Sequence, residues 1–328
     1  MKKILGISTL CILFAAGCKK VSDSDVTATD DQATTPEVAL THRTCASQDV
    51  LMAQLAADPD LALRMQAIEN VTAAYTADHP DSYLSNGIVY IPVVVNVVYS
   101  TSAQNISQAQ IQSQIDVLNA DYAGTNSDIN KVPSNFTGVK AGDTHIRFIL
   151  DKVVRRQTSK SSFTTNDAMK KAATGIAPTS PTTKLNMWSC NLSGGVLGYA
   201  QFPGGNSATD GVVIDDNAFG VTTAGAPYNK GRTATHEVGH WLNLRHIWGD
   251  ANCGNDLVAD TPLHNGANFG CPAANSRSTC SGNPIMMTMN YMDYTDDLCM
   301  YMFTLGQSTR MNATFSAGGG RTGFAGAQ

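Results

Sequence analysis

The chain has 328 residues, a formal net charge of -5, 42% hydrophobic residues and 15% charged ones. That length allows one large domain or two modest ones, and the apolar share suffices for a globular core. No block of Lys or Arg occurs, which argues against nucleic acid as a partner, because phosphate recognition needs a basic face.

The first element is a targeting segment. Lys2 and Lys3 precede an apolar run from Ile4 to Ala16 that is too short for a stable membrane span, and Gly17 and Cys18 follow. Small residues ending in Cys predict a bacterial lipoprotein signal over 1–18, with Cys18 lipidated and anchoring the chain to a membrane. Ala15 stands where such signals usually carry Leu, so ordinary signal cleavage and secretion stays open beside it. Both predict an exported protein, either a cell-envelope lipoprotein or a secreted one. Residues 19–40 are rich in Ser, Asp and Thr without apolar periodicity and read as a disordered tether.

From Ser47 to about Ala77 the apolar residues recur at three- and four-residue steps, with a break at Asp58–Pro59, which predicts a small helical segment. At Gly87 the texture changes. Ile88 to Tyr99 is a β-branched run and predicts a buried strand. It is apolar but too short to span a membrane, and it contains Pro92 and Asn96. Ser107 to Tyr122 sets Ile111, Ile115, Leu118 and Tyr122 on one helical face. His145 to Val154, Leu185 to Cys190, Leu197 to Phe202 and Gly211 to Ile214 read as strands, and Thr233 to Leu242 as a helix. This order implies an α+β fold, a mixed sheet with packed helices. After Gly249 the chain is rich in Gly, Asn, Cys and Pro and reads as loop.

Export permits disulfides. Cys11 leaves with the leader, and Cys253, Cys271, Cys280 and Cys299 crowd one region as two bridges. Spacing alone leaves three connectivities for them. Cys45 and Cys190 need separate explanations.

The chemistry is concentrated in His236-Glu-Val-Gly-His240-Trp-Leu-Asn-Leu-Arg-His246. Residues four apart share a helix face, so His236 and His240 can aim two imidazoles at one zinc ion. Glu237 sits beside the first ligand, where a carboxylate can take a proton from an attacking water. His246 can join them only if the chain turns sharply after His240. Asn243 stands at that turn, and Asn tolerates the left-handed conformation it requires. Downstream, Asn290-Tyr-Met292-Asp-Tyr294 has the spacing of a Met-turn, with Met292 as the apolar floor of the metal site. Twelve methionines occur in the chain, so a plain core role for Met292 is the alternative.

These strings, HEVGHWLNLRHIWGD at 236–250 and NYMDYTDDLCMYMFTLGQ at 290–307, together with IPVVVNVVY at 91–99 and LGYAQFPGG at 197–205, resemble the pappalysin family of metzincin metalloproteases, ulilysin-like bacterial members in particular. The resemblance covers most of 43–320. It implies a zinc metalloendopeptidase of the EC 3.4.24 type, made as a latent zymogen. It also implies a metzincin-like catalytic domain at 86–328, with a twisted mixed sheet, an active-site helix and a loop-rich, disulfide-stapled C-terminal subdomain. Before it, 19–85 would hold the tether and a helical pro-segment. Tyr294 matches a tyrosine that stabilises the tetrahedral intermediate or closes the zinc site. The bridges implied are Cys253–Cys280 and Cys271–Cys299. Asp256, Asp260 and Thr261 resemble oxygen donors to calcium. Cys45, in Arg43-Thr-Cys45, resembles a latency cysteine whose thiolate takes the fourth zinc position. Ala46 follows it where the family carries Gly, and a Cys45–Cys190 disulfide or a free thiol are the competing readings. Cys190 reads as a small buried hydrophobe.

Protein or peptide substrates would lie extended along an edge strand, Leu197 to Phe202. Leu298, after the Met-turn, would fit an apolar cleavage preference. No Lys or Arg occurs between Arg64 and Lys131, so a protease that prefers basic residues could not release the pro-segment at about 77–86. The rival from another class is a non-catalytic, membrane-anchored binding protein with a structural zinc. Structural sites use four protein ligands, whereas three His beside a Glu leave one position open.

Overall fold

The structure, a computed structural model, describes residues 42–79 and 87–324. The leader, Cys18, the tether and the junction residues 80–86 lie outside the described residues.

Two helices come first, α1 (Ser47–Ala57) and α2 (Leu61–Asp78). Pro59 separates them: it has no N–H for the helical ladder, and it pushes Asp58 into extended backbone at φ -131 and ψ 97. Then follow β1 (Val89–Tyr99), α3 (Gln108–Tyr122), β2 (Ile146–Gln157), β3 (Leu185–Cys190), β4 (Gly198–Ala200), β5 (Val212–Asp215), α4 (Arg232–Trp241) and α5 (Leu305–Ala313).

The sheet order is β2-β1-β3-β5-β4. The first four strands are parallel, and β4 is antiparallel to β5 at one edge. A parallel neighbour requires a long crossover, and α3 supplies the one between β1 and β2. β1 is covered on both faces, with Val93, Val94, Val95 and Val97 fully buried, which is why its sequence is an apolar run without alternation. On one face Ile111, Ile115 and Leu118 of α3 and Val238 and Trp241 of α4 fill the core. On the other, Val98, Trp188, Tyr199 and Val213 pack with Ala46 and Val50 from the segment that precedes the sheet.

All ten residues of α4 are buried. Its first residue, Arg232, pairs with Asp121 and Asp128 at 3.0 Å each, and Thr235 donates to Asp121 at 2.7 Å. A buried guanidinium is tolerable only with such partners. The result is a helix fixed against α3 before any metal chemistry is considered.

The α+β arrangement is the one the sequence predicts, with one departure after Gly249. That stretch is loop and stapled, by Cys253–Cys280 and Cys271–Cys299, but it also contains α5. Thr304 and Gln307 form a reciprocal capping box at its start. The Asp260 carboxylate accepts from the Thr304 hydroxyl at 2.6 Å and the Gly306 N–H at 2.8 Å, a favourable place for a negative charge.

Candidate active site

Helix α4 carries His236 and His240 one turn apart, with their Nε2 atoms 3.1 Å from each other. Past Leu242 the helix ends and the Leu244 N–H closes back on the Gly239 carbonyl at 2.9 Å. Asn243 takes φ +71 there, the left-handed conformation that its side chain tolerates better than most. The chain reverses, and His246 Nε2 arrives 3.1 Å from His240 Nε2.

The other ring nitrogens fix what those atoms can do. Nδ1 of His236 faces the Tyr291 carbonyl at 2.6 Å, and Nδ1 of His240 faces the Leu244 carbonyl at 2.8 Å. Nδ1 of His246 faces the Asp250 carboxylate at 2.5 Å. A carbonyl can only accept, so Nδ1 of His236 and of His240 carries the proton and Nε2 keeps its lone pair. Three lone pairs converging at this distance repel unless a cation sits among them, and acceptors behind the rings are the usual support of metal-bound imidazoles. Burial holds His236 well below the usual imidazole range and His240 at about 3, which keeps them neutral. The site therefore fits zinc.

Met292 packs from below. A Cβ on Gly239 would fall 2.6 Å from Met292 Sδ, so the helix turn between the two histidines rests on that sulfur. The Met292 carbonyl accepts from the Ile247 N–H at 3.1 Å. Asn290 holds this turn to α5 by paired amide bonds with Gln307, at 2.8 and 2.9 Å. Trp248 stacks on His246, centroids 4.4 Å apart and planes 6° apart.

Above the cluster lies the segment 43–47. The Cys45 Sγ joins the three Nε2 atoms in one group whose ligand atoms are all within 4.8 Å of one another. The thiol donates to Glu237 Oε2 at 3.3 Å, and the Ser47 hydroxyl donates to the same oxygen at 2.8 Å. Burial pushes the Glu237 carboxyl up to about 7, against the pull of those two donors. Glu237 has room because β4 begins with glycine: a Cβ on Gly198 would lie 2.9 Å from Glu237 Cγ. The same segment occupies the edge strand. Leu197 N–H donates to the Thr44 carbonyl at 2.9 Å, Ala46 N–H to the Gly198 carbonyl at 3.0 Å, and Ala200 N–H to Ser47 Oγ at 2.8 Å. It runs parallel to β4. Tyr294 stands beside the histidines, its ring 4.9 Å from that of His246, and its hydroxyl donates to the Cys45 carbonyl at 3.1 Å.

Arg43 anchors this segment in a closed pocket. It pairs with Asp297 at 2.5 Å, donates to Thr233 Oγ1 at 3.1 Å and lies over the Tyr228 ring. Leu298, next to Asp297, points outward at 53% exposure on the rim of a cavity of about 280 Å³.

The residue pattern points to His236, Glu237, His240, His246 and Met292, and the resemblance adds Tyr294 and Cys45; the structure brings the seven side chains together. Cys45 and Cys190 are both free buried thiols, so no bridge joins them. Of the residues resembling calcium donors, Thr261 donates to both oxygens of Asp256 at 2.9 Å, whereas Asp260 is turned to α5. Ser47, Asp250, Gln307, Arg43 and Asp297 carry no sequence-based role. Asp250, four residues after His246, had a readable signal as a carboxylate one turn from a ligand; the others join residues far apart in the chain.

The family model of peptidase family M43, pregnancy-associated plasma protein-A, matches residues 185–316. An extracellular metalloprotease of Arthroderma otae is 33% identical over 253 residues, 74% of this chain and 84% of its own length. One from Pyricularia oryzae is 38% identical over 236 residues, 69% of this chain and 74% of its own. Among solved structures, Tannerella forsythia mature mirolysin with a cleaved peptide is 45% identical at a TM-score of 0.70, covering 73% of this chain and 96% of that one. A promirolysin mutant from the same organism is 42% identical at a TM-score of 0.77, covering 86% and 97%.

Proposed function

The chain belongs to the pappalysin family of zinc metalloendopeptidases, and from that premise we propose that it is exported as a latent zymogen in which residues 42–79 are the pro-segment and Cys45 is the latency group. Support comes from the promirolysin match, which covers 86% of the chain against 73% for the mature enzyme. What carries the reading is the convergence of three Nε2 lone pairs beside Glu237, with the Cys45 thiol on the remaining side. With Cys45 present the donor set is closed at four, as in a structural site; when the segment leaves, one position opens.

When bound by His236, His240 and His246, zinc supplies polarisation of the scissile carbonyl and a lower pKa for water. Glu237 then takes a proton from the water that adds to the carbonyl carbon. It passes that proton to the leaving amine as the C–N bond breaks, and the second proton of the water follows from the new carboxyl group, giving a carboxylate and an ammonium group. Tyr294, released from the Cys45 carbonyl, donates to the developing oxyanion. A peptide pairs with the edge strand β4 through the groups now held by Thr44, Ala46 and Ser47. The Arg43 pocket, with Asp297 at its base, supports a basic side chain beside the scissile bond in place of the apolar preference expected from Leu298, which faces outward; an enzyme of that preference could not release itself at about 77–86, where no Lys or Arg occurs, so another protease makes that cut. Calcium at the Asp256–Thr261 loop belongs to the same proposal, with Asp260 left as a helix cap.

Glu237→Ala should keep zinc by metal analysis and lose at least 10³-fold in cleavage of a peptide substrate, on the order expected for a lost general base. Chelation should abolish wild-type cleavage and zinc should restore it, while calcium raises the melting temperature. Residual cleavage by Glu237→Ala at the wild-type rate would rule the role out.

The relatives' names support export. Anchoring through Cys18 would put the lipid on the pro-segment side, so maturation would free the enzyme. Cell fractionation should find the unprocessed chain with membranes and the mature one in the soluble fraction; a mature form that stays with membranes counts against it.

A further inference from the structure

Away from Cys45, the pro-segment meets the catalytic part at a charged site. Glu69, on α2, reaches Arg310 on α5, and Arg310 Nη2 pairs with Glu69 Oε1. Asn243 Nδ2 donates to the same Glu69 oxygen at 3.3 Å. Arg310 is held in place from the catalytic side, because its Nε donates to the Asn243 carbonyl at 2.7 Å. Two donors from the catalytic part therefore converge on one carboxylate of the pro-segment. The arginine is fixed by a bond that survives when the pro-segment leaves.

The place adjoins the metal-facing turn. Asn243 is the turn residue between the metal-facing His240 and His246. Ile68, next to Glu69, lies against Gly204, where a Cβ would meet its Cδ1 at 3.2 Å. Gly204 follows β4 and Phe202, and the Phe202 ring is 5.3 Å from that of His240. The pro-segment thus crosses the cleft from the Arg43 pocket, over the metal cluster, to this second site on the Phe202 side.

We propose that Arg310 and Asn243 form a carboxylate-binding subsite of the active cleft, filled by Glu69 in the latent chain and by an acidic side chain of the substrate in the mature enzyme. The inference rests on the zymogen reading above. Its physical basis is an oriented, unpaired charge: with Glu69 in place Arg310 has 4% of its side chain exposed, and departure of the pro-segment removes that carboxylate while the Asn243 carbonyl still holds the Arg310 Nε. A guanidinium already oriented by a carbonyl binds a carboxylate with little further ordering, in a charge-assisted bond. Glu and Gln have nearly the same shape, so they separate the charge from the fit.

The test uses enzyme activated by limited proteolysis of the full chain. Peptides with one fixed cleavage site carry Glu or Gln at successive positions on either side of it. At one position, opposite the side that enters the Arg43 pocket, Glu should raise kcat/KM about tenfold over Gln at low salt. The ratio should fall to one in Arg310→Gln and be kept in part by Arg310→Lys. Because the ratio is internal to each preparation, a variant that folds less well still reports it. Equal rates for Glu and Gln at every position in the wild-type enzyme overturn the subsite and leave the protease reading standing, and would fit an Arg310 that turns to nearby Asp256 instead. No cleavage of any peptide overturns both.

Discussion

Asp216 shows what a single buried carboxylate does outside the metal cluster. It follows β5, is 7% exposed, and its Oδ1 has no hydrogen-bond partner among the described residues. Burial first, and the neighbouring Asp215 second, push its pKa up to about 7. A folded-state pKa above the unfolded one means the native state holds the proton longer. Asp216 therefore favours folding below about pH 4, and that contribution is lost as pH rises toward 7. Asp216→Asn should leave stability unchanged at pH 4 and raise it at pH 8, by on the order of 2 kcal/mol; denaturant melts at the two pH values measure it, and an equal effect at both would show that charge is not the cause. The same scale decides what could be read in advance. His236, Glu237 and His240 are legible because helical spacing puts them on or beside one face, and His246 because a turn residue, Asn243, stands between it and His240. Asn243 is legible because few residues accept φ +71. Ser47 on Glu237 is not, because 190 residues separate them and nothing local in a Ser marks its distant acceptor.

Elements were legible in proportion to their apolar signal. β1 announces itself as an apolar run without alternation because it is buried on both faces, and α3 by a clean stripe, to which the structure adds a Ser107 cap that accepts from Gln110. β4 was expected over 197–202 and has ladder partners only over Gly198–Ala200. It is an edge strand, and its outer side is covered by residues 44–47 rather than by another strand of the sheet. The order of the strands was not legible, since it is set by pairings between distant segments. Helix α5 was missed for a different reason. Its buried residues include Gln307, Ser308, Thr309, Arg310 and Asn312, so no apolar stripe exists to see. They are buried because they hold other elements: Gln307 the Met-turn through Asn290, Arg310 the His240–His246 turn through Asn243, and Asn312 the Thr144 carbonyl. The one local sign was the Thr304-x-x-Gln307 capping box. A helix whose partners are polar is recruited to position a site, and periodicity is blind to it.

At the scale of the whole molecule the question is what keeps the pro-segment in the cleft. On the proposed reading Cys45 offers one ligand atom, but Arg43 is the more deeply committed group: it is 1% exposed and paired with an Asp297 that is fully buried. Asp297 also accepts from the Lys230 N–H at 2.8 Å and the Arg232 N–H at 3.2 Å, so it stays solvated by backbone when Arg43 is absent. The pocket therefore survives the loss of its occupant, as a substrate pocket must. Arg43→Ala in the full chain removes a charge-assisted contact of the pro-segment while Asp297 keeps its backbone donors, a loss of about 3 kcal/mol. That cost falls on docking of the pro-segment, because Arg43 leaves with it. The unprocessed Arg43→Ala chain should then cleave a peptide about 10²-fold faster than the unprocessed wild type, while the two mature enzymes give the same kcat/KM, since neither contains residue 43. Asp297→Asn should act on both states, loosening the latent chain and weakening cleavage beside a basic residue in the mature one. Equal activity of the two unprocessed chains would reduce Arg43 to a packing residue, and with it the inference that the mature pocket receives a basic side chain.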